Sequence, residues 1–204
     1  MFSYRHAFHA GNHADVLKHA ALLAVIRYMG EKSVPITVVD THAGAGLYRL
    51  DASQAQTSGE SGFGVQKIWA AAQDTTVTLA PLLADYVALL TTFNGGNRCV
   101  NYPGSPVLMH SQMRPDDKLK LFEMHPTDGR LLATEMRKHH TGQQIAVLHE
   151  DGFTAVPKFF PPPSRRGLLV CDPSYEIKTD YAKVVGALRE ALTRFAEGVV
   201  MVWY

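Results

Sequence analysis

Asp172 and Tyr175 are the residues of this sequence whose side chains are best suited to chemistry. They directly follow residues 168–171, an apolar run that predicts a short buried strand. Pro173 cannot continue a sheet ladder, and it favours extended backbone at Asp172, so the acid is expected at the last position of that strand. A carboxylate held there can accept a proton, and an aromatic ring beside it can stack on a base.

Four predicted strands each end in an acidic residue. The carboxyl ends of parallel strands meet at one edge of an open sheet, where ligands bind, so these acids are expected close together. Any one of them alone is equally typical of a helix cap, but four of four favour a ligand that contains a nucleoside. The strands with their acids are residues 36–40 with Asp40, 118–124 with Glu123, 145–149 with Asp151 and 168–171 with Asp172.

A loop with two glycines, residues 41–46, follows the first of these strands. Gly44 and Gly46 allow the backbone to approach a nucleotide-like ligand closely, although the same pattern also occurs in ordinary tight turns. In dinucleotide-binding folds, the acid that binds the ribose hydroxyls follows such a loop by about 20 residues. Glu123 has the right position on its strand but comes much later, which an insertion explains.

The remaining patterns predict the elements that position these residues. Residues 47–102 are predicted to form an inserted helical subdomain, and the order of elements predicts an α/β fold, a doubly wound and mostly parallel sheet. The sequence stops inside an apolar run, so further C-terminal strands are expected beyond it. Helical periodicity covers residues 15–29, 127–138 and 179–195, a short helix begins at Val107, and residues 198–204 form a fifth strand.

Apolar stripes on the three long helices predict which side chains face the core. Asn12 is the expected cap of the first helix, with Gly30 as its stop, and Thr127 or Asp128 is the expected cap of the second. The predicted inward residues are Val16, Leu17, Ala20, Leu23, Ala24 and Ile26, then Leu131, Leu132 and Met136, then Val184, Val185, Leu188 and Leu192.

Composition sets the class of protein. The 204 residues are 46% apolar and 19% charged, which suffices for a single domain with a sizeable core. The formal net charge of +1 excludes a general polycation, so binding of nucleic acid would need a local patch, for which Arg5, Lys18, Arg165 and Arg166 are candidates. Two cysteines, and the absence of a signal-peptide pattern or a membrane-length apolar segment, predict a cytoplasmic protein without disulfides.

Several motifs resemble a known enzyme family. Residues 172–175, Asp-Pro-Ser-Tyr, are similar to the Asp-Pro-Pro-Tyr motif of S-adenosylmethionine-dependent amino-methyltransferases. Residues 3–19 closely resemble the N-terminal signature of the RlmJ-type methyltransferases, and residues 40–46, 102–106, 150–153 and 164–181 also fit. The resemblance implies a Rossmann-like methyltransferase fold with a helical insertion after the first strand. It also implies methyl transfer to the N6 amine of an adenine in 23S ribosomal RNA.

The resemblance also implies roles for individual residues. Glu123 would bind the ribose hydroxyls of S-adenosylmethionine, and Asp151 with Gly152 its adenine end. Ser174 replaces the second proline of the motif. The expected substrate is RNA that is protein-free or in an early assembly intermediate, with no metal, membrane or obligate protein partner. The implied sites are catalytic Asp172, Pro173 and Tyr175; cofactor-binding Lys18, His19, His42, Ser105, Glu123, Asp151, Gly152 and Asp172; and substrate-binding Tyr4, His6 and Tyr175.

Two alternatives compete with this interpretation. A metal-dependent hydrolase would use the histidines near the N-terminus together with Asp15, since His9 and His13 are one helical turn apart. Against it, Gly11 and Asn12 indicate that the helix begins later. A non-catalytic nucleic-acid-binding protein, linked to the use of external DNA, would keep the fold without the chemistry; Ser174 is the one residue that favours it.

Overall fold

A five-stranded parallel sheet with helices on both faces forms the centre of the computed structural model, which describes residues 5–96, 98–139 and 144–204. No helix among these residues is both long and apolar enough to cross a membrane. The strands are β1 (Thr37–Asp40), β2 (Leu47–Arg49), β3 (Asn101–Pro103), β4 (Lys118–Phe122), β5 (Ile145–Leu148), β6 (Gly167–Cys171) and β7 (Val199–Val202). The helices are α1 (His13–Gly30), α2 (Ser53–Ser58), α3 (Val65–Gln73), α4 (Pro81–Asn94), α5 (Ser105–Ser111), α6 (Pro126–Lys138), α7 (Ala155–Phe159) and α8 (Asp180–Arg194).

The strand order in the main sheet is β5-β4-β1-β6-β7, and every neighbouring pair is parallel. The chain builds outward from β1 through β4 to β5, then returns to the other side of β1 to form β6 and β7. This reversal makes the carboxyl ends of β1 and β6 a topological switch point, the place where open α/β sheets bind ligands. The predicted doubly wound, Rossmann-like fold is confirmed.

Both faces of β1 and β6 are covered, which explains why these strands are apolar throughout. Successive side chains point to opposite faces of the sheet. Val38 and Leu168 join the larger core cluster, which includes the inner side of α1, whereas Val39 and Leu169 join a second cluster with α7 and α8. The sheet therefore separates two apolar layers. Because each layer takes alternate residues of the strands, a shift of one residue in register would disrupt both layers.

Residues 47–103 form a separate set of elements between β1 and α5. β2 and β3 pair antiparallel, with Tyr48 opposite Tyr102, and enclose α2, α3 and α4. Three α-helices lie among the described residues of this stretch, and the two-stranded sheet was not predicted. Each of its strands is three residues long, which is too short for an alternating pattern to be recognised.

Some helix faces differ from prediction. Leu17, Leu131, Val185 and Leu192, all expected in the core, are exposed by half or more of their surface. Neighbouring positions on a helix are about 100° apart, so an apolar residue beside the inner stripe points outward even when its neighbour, such as Val184, is buried.

The caps of the helices are only partly as expected. Asn12 caps α1 as predicted, since its Oδ1 accepts from the Asp15 amide at 2.9 Å. The prediction of Thr127 or Asp128 as cap of α6 was wrong: His125 occupies that position, and its Nδ1 accepts from the Asp128 amide at 3.3 Å. Pro126 then begins the helix, where its missing N–H costs nothing.

Candidate active site at the carboxyl edge of the sheet

A cleft of about 260 Å³ opens at the carboxyl edge of the main sheet. Its walls come from the N-terminal segment, α1, and the loops that follow β1, β4, β5 and β6. The cleft brings together most of the side chains that the sequence singled out. The predicted site residues that line it are His6, Lys18, His19, His42, Ser105, Glu123, Asp151, Gly152, Asp172 and Pro173.

Among the predicted site residues that the structure describes, Tyr175 is the one that the cleft lining does not include. Tyr175 adopts a left-handed backbone conformation (φ 56°), its ring packs on Tyr181 with 4.5 Å between centroids, and its hydroxyl donates to the Trp203 carbonyl at 2.7 Å. Burial raises the pKa of Tyr175 to about 12, so the phenol stays protonated. Tyr4 lies outside the described residues.

The Glu123 carboxylate, at the end of β4, is held by two backbone amides. Its Oε2 accepts from the Gly44 amide at 2.8 Å and its Oε1 from the His125 amide at 2.6 Å. Burial raises the pKa of Glu123 from its ordinary value, although both amides act in the opposite direction. Gly44 has a positive φ of 63°, and a Cβ there would lie 2.3 Å from the Tyr48 hydroxyl, so the loop needs glycine at this point. The carboxylate keeps acceptor positions for two hydroxyls of a ligand.

Asp40 is fully buried at the end of β1 and is not part of the cleft wall. Its oxygens accept from the Ser105 hydroxyl at 2.7 Å and from the His42 amide at 3.2 Å. Burial raises the pKa of Asp40 to about 6. The expectation that all four strand-end acids face a ligand is therefore wrong for Asp40. Asp40 instead orients Ser105 and the glycine loop, which line the cleft.

The end of the cleft beside β5 combines a carboxylate with an aromatic ring. Asp151 Oδ1 accepts from the Phe153 amide at 2.9 Å, which fixes the turn. The His42 ring meets the Phe153 ring edge-on at 4.9 Å, and the Lys183 ammonium lies 5.3 Å from the centroid of the same ring. A Cβ at Gly152 would lie 1.9 Å from the Thr41 carbonyl oxygen, so only glycine fits there. A flat base with a donor group suits this end.

Asp172 sits at the end of β6 and is bound to the ammonium of Lys18, with 2.6 Å between Oδ2 and Nζ. Lys18 also contacts Asp15 Oδ1 at 2.9 Å. Burial alone would lower the pKa of Lys18, but the two carboxylates raise it above its ordinary value, so the ammonium is permanently charged. The other oxygen of Asp15, Oδ2, lies 2.9 Å from His6 Nε2.

His19 connects the cleft to residues 47–103. Its Nδ1 lies 2.9 Å from the Tyr102 hydroxyl, which is 3.0 Å from the Tyr86 hydroxyl, and all three side chains are buried. Burial lowers the pKa of His19 to about 3, and that of His42 to about 4, so both imidazoles are neutral at physiological pH. A neutral imidazole offers the ligand one donor or one acceptor, not a charge.

Sequence reasoning missed several cleft residues as site members. Asp15 was considered only as a metal ligand. Its position three residues after Asn12 is typical of a helix start, so nothing marked it as a member of the cleft. Trp203 and Lys183 carry no motif, and the fold alone places them at the cleft. A sequence signal was available only for Phe153, which directly follows the Asp151-Gly152 turn.

The predicted phosphate-binding patch is not assembled in the structure. Arg166 precedes β6 at the opposite edge of the sheet and donates to the carbonyls of Met29 and Val34. Arg165 packs against the ring of Phe195, and Arg5 pairs with Asp128 at 3.0 Å. The four residues share a positive charge, but the fold does not bring them to one surface. The prediction of a phosphate-binding patch was therefore wrong.

The N-terminal histidines do not form a metal centre. His9 Nδ1 lies 2.9 Å from Glu60, and His19 is engaged with Tyr102. Over the part of the chain that the structure describes, no group of three or more histidine, cysteine or acidic side chains is placed to hold a metal ion. The geometry does not favour the hydrolase alternative.

Comparisons with known proteins agree with the geometry of the cleft. Residues 33–204 match the family model described as ribosomal RNA large subunit methyltransferase D, RlmJ. The chain is 43% identical over its whole length to ribosomal RNA large subunit methyltransferase J of Escherichia coli K12, and 38% identical to the enzyme of that name from Haemophilus influenzae; it covers 70% of each. A Legionella pneumophila crystal structure superposes with a TM-score of 0.86 at 34% identity, over 96% of this chain and 69% of that one. The chain therefore belongs to the RlmJ family of ribosomal RNA large subunit methyltransferases.

Proposed function

We propose that this chain transfers a methyl group from S-adenosylmethionine to the exocyclic N6 amine of an adenine in 23S ribosomal RNA. The observation that supports this most strongly is the placement of Asp172 in the same cleft as the Glu123–Gly44 pair. The first is an acid that can act on an amine, and the second is a cradle for ribose hydroxyls. The family to which the chain belongs points to the same chemistry.

The cleft residues fit S-adenosylmethionine. Glu123, with both oxygens aligned by backbone amides, suits the two ribose hydroxyls. Asp151, Gly152 and Phe153 offer a carboxylate and a ring to the adenine end. When bound, the donor supplies an electrophilic methyl group on a sulfonium centre. The remaining proposed contacts, all on the cleft wall, are Lys18, His19, His42, Ser105 and Asp172.

Asp172 and the carbonyl of Pro173 would activate the target amine. The N6 lone pair of adenine is delocalised into the ring, so the amine is a poor nucleophile until acceptors on its hydrogens draw the nitrogen toward tetrahedral geometry. Asp172 keeps acceptor capacity beyond its bond to Lys18. Lys18 is already protonated, so the proton that the amine loses goes to Asp172. Much of the rate gain comes from holding the amine in line with the methyl group.

Tyr175 is proposed to stack on the extruded adenine, a contact typically worth about 1–3 kcal/mol per base. For this, its ring must leave Tyr181 and its hydroxyl must leave the Trp203 carbonyl. Tyr4 and His6 are proposed on the same substrate side. His6 lies on the cleft wall, edge-on to the Tyr48 ring at 5.2 Å.

The target adenine must leave its stack to reach a cleft of this size. We therefore propose that the substrate is 23S RNA that is protein-free or in an early assembly intermediate, in which the base is not covered. Such a substrate would place the protein in the cytoplasm. Residues 47–102 are proposed to be an inserted helical subdomain of one methyltransferase domain, because β2 and β3 join its two ends.

The proposal is tested by incubating the full chain with methyl-labelled S-adenosylmethionine and transcribed, protein-free 23S RNA. Label should enter the RNA with the wild-type chain and fall by at least about a hundredfold with Asp172→Asn, which keeps the shape and removes the charge. Tight binding of duplex DNA without label transfer to RNA would instead support the non-catalytic alternative.

A further inference from the structure

Asp15 has contacts that a helix cap does not require. Its amide makes the ordinary N-cap bond to Asn12 Oδ1, and a capping box would return the acidic side chain to the Asn12 amide. That amide instead donates to the His9 carbonyl at 3.0 Å. The Asp15 side chain, only 3% exposed, turns to the cleft wall and accepts from the Gly11 amide at 2.9 Å.

The two oxygens of Asp15 engage two different cleft residues. Oδ2 lies 2.9 Å from His6 Nε2, and Oδ1 lies 2.9 Å from Lys18 Nζ. Lys18 in turn lies 2.6 Å from Asp172 Oδ2. One buried ammonium is thus shared by two carboxylates, and the second of them is the proposed acid-base residue.

The sharing changes the charge that the reacting amine meets. Lys18 paired with Asp172 alone would form a neutral couple, whereas the Asp15 carboxylate brings one further negative charge to the same ammonium. Burial alone would raise the pKa of Asp15, but His6 and Lys18 hold it well below its ordinary value, so this carboxylate is ionised. An amine that attacks a methyl group on sulfonium develops positive charge, which a preorganised negative group stabilises.

We propose that Asp15 is a positioning residue for methyl transfer. It holds Lys18 and His6 on the cleft wall, and it draws part of the Lys18 ammonium away from Asp172, so that Asp172 remains an effective acceptor. This inference rests on the proposed function. Asp15 acts through Lys18 and His6 and takes no proton from the substrate.

Asp117 offers a matched comparison at the opposite edge of the sheet. It is also a buried aspartate (1% exposed) that accepts from backbone amides, those of Ile36 and Arg114, and it pairs with the Arg114 guanidinium at 2.9 Å. Its contacts anchor a turn and lie away from the cleft. Asp117→Asn therefore reports what loss of a buried, paired aspartate does to stability alone.

The test compares Asp15→Asn with Asp117→Asn in the full chain. For Asp15→Asn we expect kcat to fall about a hundredfold, the scale on which loss of one preorganised electrostatic group acts. KM for RNA and Kd for S-adenosylhomocysteine should change less than kcat, by under about tenfold, because Asp15 reaches those ligands only through Lys18 and His6. Asp117→Asn should lower the melting temperature but leave kcat within about threefold.

The link through Lys18 is measured by a double-mutant cycle on melting temperature. In the Lys18→Met background, Asp15 keeps His6 and the Gly11 amide but has lost the ammonium. Adding Asp15→Asn should therefore lower the melting temperature less than it does in the wild-type background, or raise it.

Unchanged kcat in Asp15→Asn would overturn the inference, as would equal melting shifts in both backgrounds. An inactive wild-type chain would overturn the proposed function as well. An active wild-type chain with inactive Asp172→Asn and fully active Asp15→Asn would overturn the role of Asp15 alone.

Discussion

At the scale of single residues, the cleft depends on carboxylates whose surroundings give them different tasks. Glu123 is aligned by two amides, Asp172 is bound to an ammonium, and Asp40 is buried behind the glycine loop. Residue type and strand position, both visible in the sequence, placed these acids at one edge. Burial decides which of them faces a ligand, and burial depends on packing that no local pattern encodes.

Replacing Glu123 with glutamine should weaken binding of S-adenosylhomocysteine at least tenfold. The amide keeps one acceptor but loses the charge that strengthens hydrogen bonds to ribose hydroxyls. Calorimetry measures the affinity, and Glu176→Gln, an exposed change in the same cleft wall, is the control. Equal affinities for the wild type and Glu123→Gln would remove Glu123 from the ribose site.

Gly152→Ala should abolish donor binding and destabilise the fold by more than about 2 kcal/mol, because the new methyl group would meet a fixed backbone oxygen, that of Thr41. Gly186→Ala is the control: a Cβ there meets nothing within 4 Å, and alanine in the interior of α8 should stabilise by about 0.5–1 kcal/mol. Chemical denaturation measures both. A stable, donor-binding Gly152→Ala chain would contradict the close approach of the two loops.

The buried carboxyl of Asp40 gives stability a pH dependence of defined sign. Its pKa is raised to about 6, so the folded chain binds a proton between about pH 4 and pH 6 that the unfolded chain has lost, and stability falls as pH rises through that window. The rise in the pKa of Asp40 on folding corresponds to a loss of about 3 kcal/mol of stability across this window. Asp40→Asn should therefore raise the melting temperature at pH 8 and leave it nearly unchanged at pH 4.

Asp117→Asn provides the opposite case. Burial alone would raise the pKa of Asp117, but Arg114 and two backbone amides lower it, so its contribution to stability is present above the ordinary pKa and lost in acid. This variant should melt lower at pH 8. If the two variants shift the melting temperature in the same direction at pH 8, the assigned environments are wrong.

At the scale of elements, residues 47–103 hold the N-terminal segment that reaches the cleft. Glu60 contacts His9 and Asn12, and the Val65 amide donates to the Gly11 carbonyl at 2.8 Å. A Cβ at Gly64 would lie 2.2 Å from that carbonyl oxygen. The start of α3 therefore packs backbone against backbone on the turn that precedes α1.

Gly64→Ala should push α3 away from this turn and lower kcat at least tenfold, although residue 64 lies outside the cleft. Gly62→Ala, two residues earlier, meets nothing within 4 Å and should leave kcat within about threefold. Steady-state methylation of RNA measures both variants. Equal activity would show that residues 47–103 do not support the N-terminal segment.

Element boundaries followed well from periodicity, and element faces followed less well. The four sheet strands with terminal acids and the long helices were all predicted from apolar spacing. The pairing of β2 with β3 was not, because it joins residues more than fifty positions apart. Leu17 and Val185 were placed inward because an apolar residue next to a stripe looks like part of it.

At the scale of the whole molecule, the strand order creates the site. β1 and β6 are neighbours in space, and their carboxyl ends bring the glycine loop and Asp172 to one cleft. The sequence predicted a doubly wound parallel sheet whose strand ends meet at one edge, but it did not predict the order of the strands. It did not predict where Tyr175 points, since that depends on contacts with Trp203 and Tyr181 at the end of the sheet.

Donor binding should be visible in the stability of the whole chain. A ligand that binds only the folded state stabilises it by about 2.7 kcal/mol at a hundred times its Kd. S-adenosylhomocysteine at that excess should raise the melting temperature of the wild type by several degrees. At the same concentration it should raise that of Glu123→Gln by about half as much or less, because an affinity at least tenfold weaker leaves about 1.4 kcal/mol of stabilisation or less. Equal shifts would place the ligand elsewhere.

The position of the methyl group on the product tests the central claim most directly. Transcribed 23S RNA, treated with the full chain and S-adenosylmethionine, is digested to nucleosides and analysed by mass spectrometry. The proposed function predicts new N6-methyladenosine in the RNA, absent with Asp172→Asn. Methylation of another atom, or no methylated nucleoside from a chain that binds S-adenosylhomocysteine, would contradict the assignment of Asp172 as the residue that acts on the adenine amine.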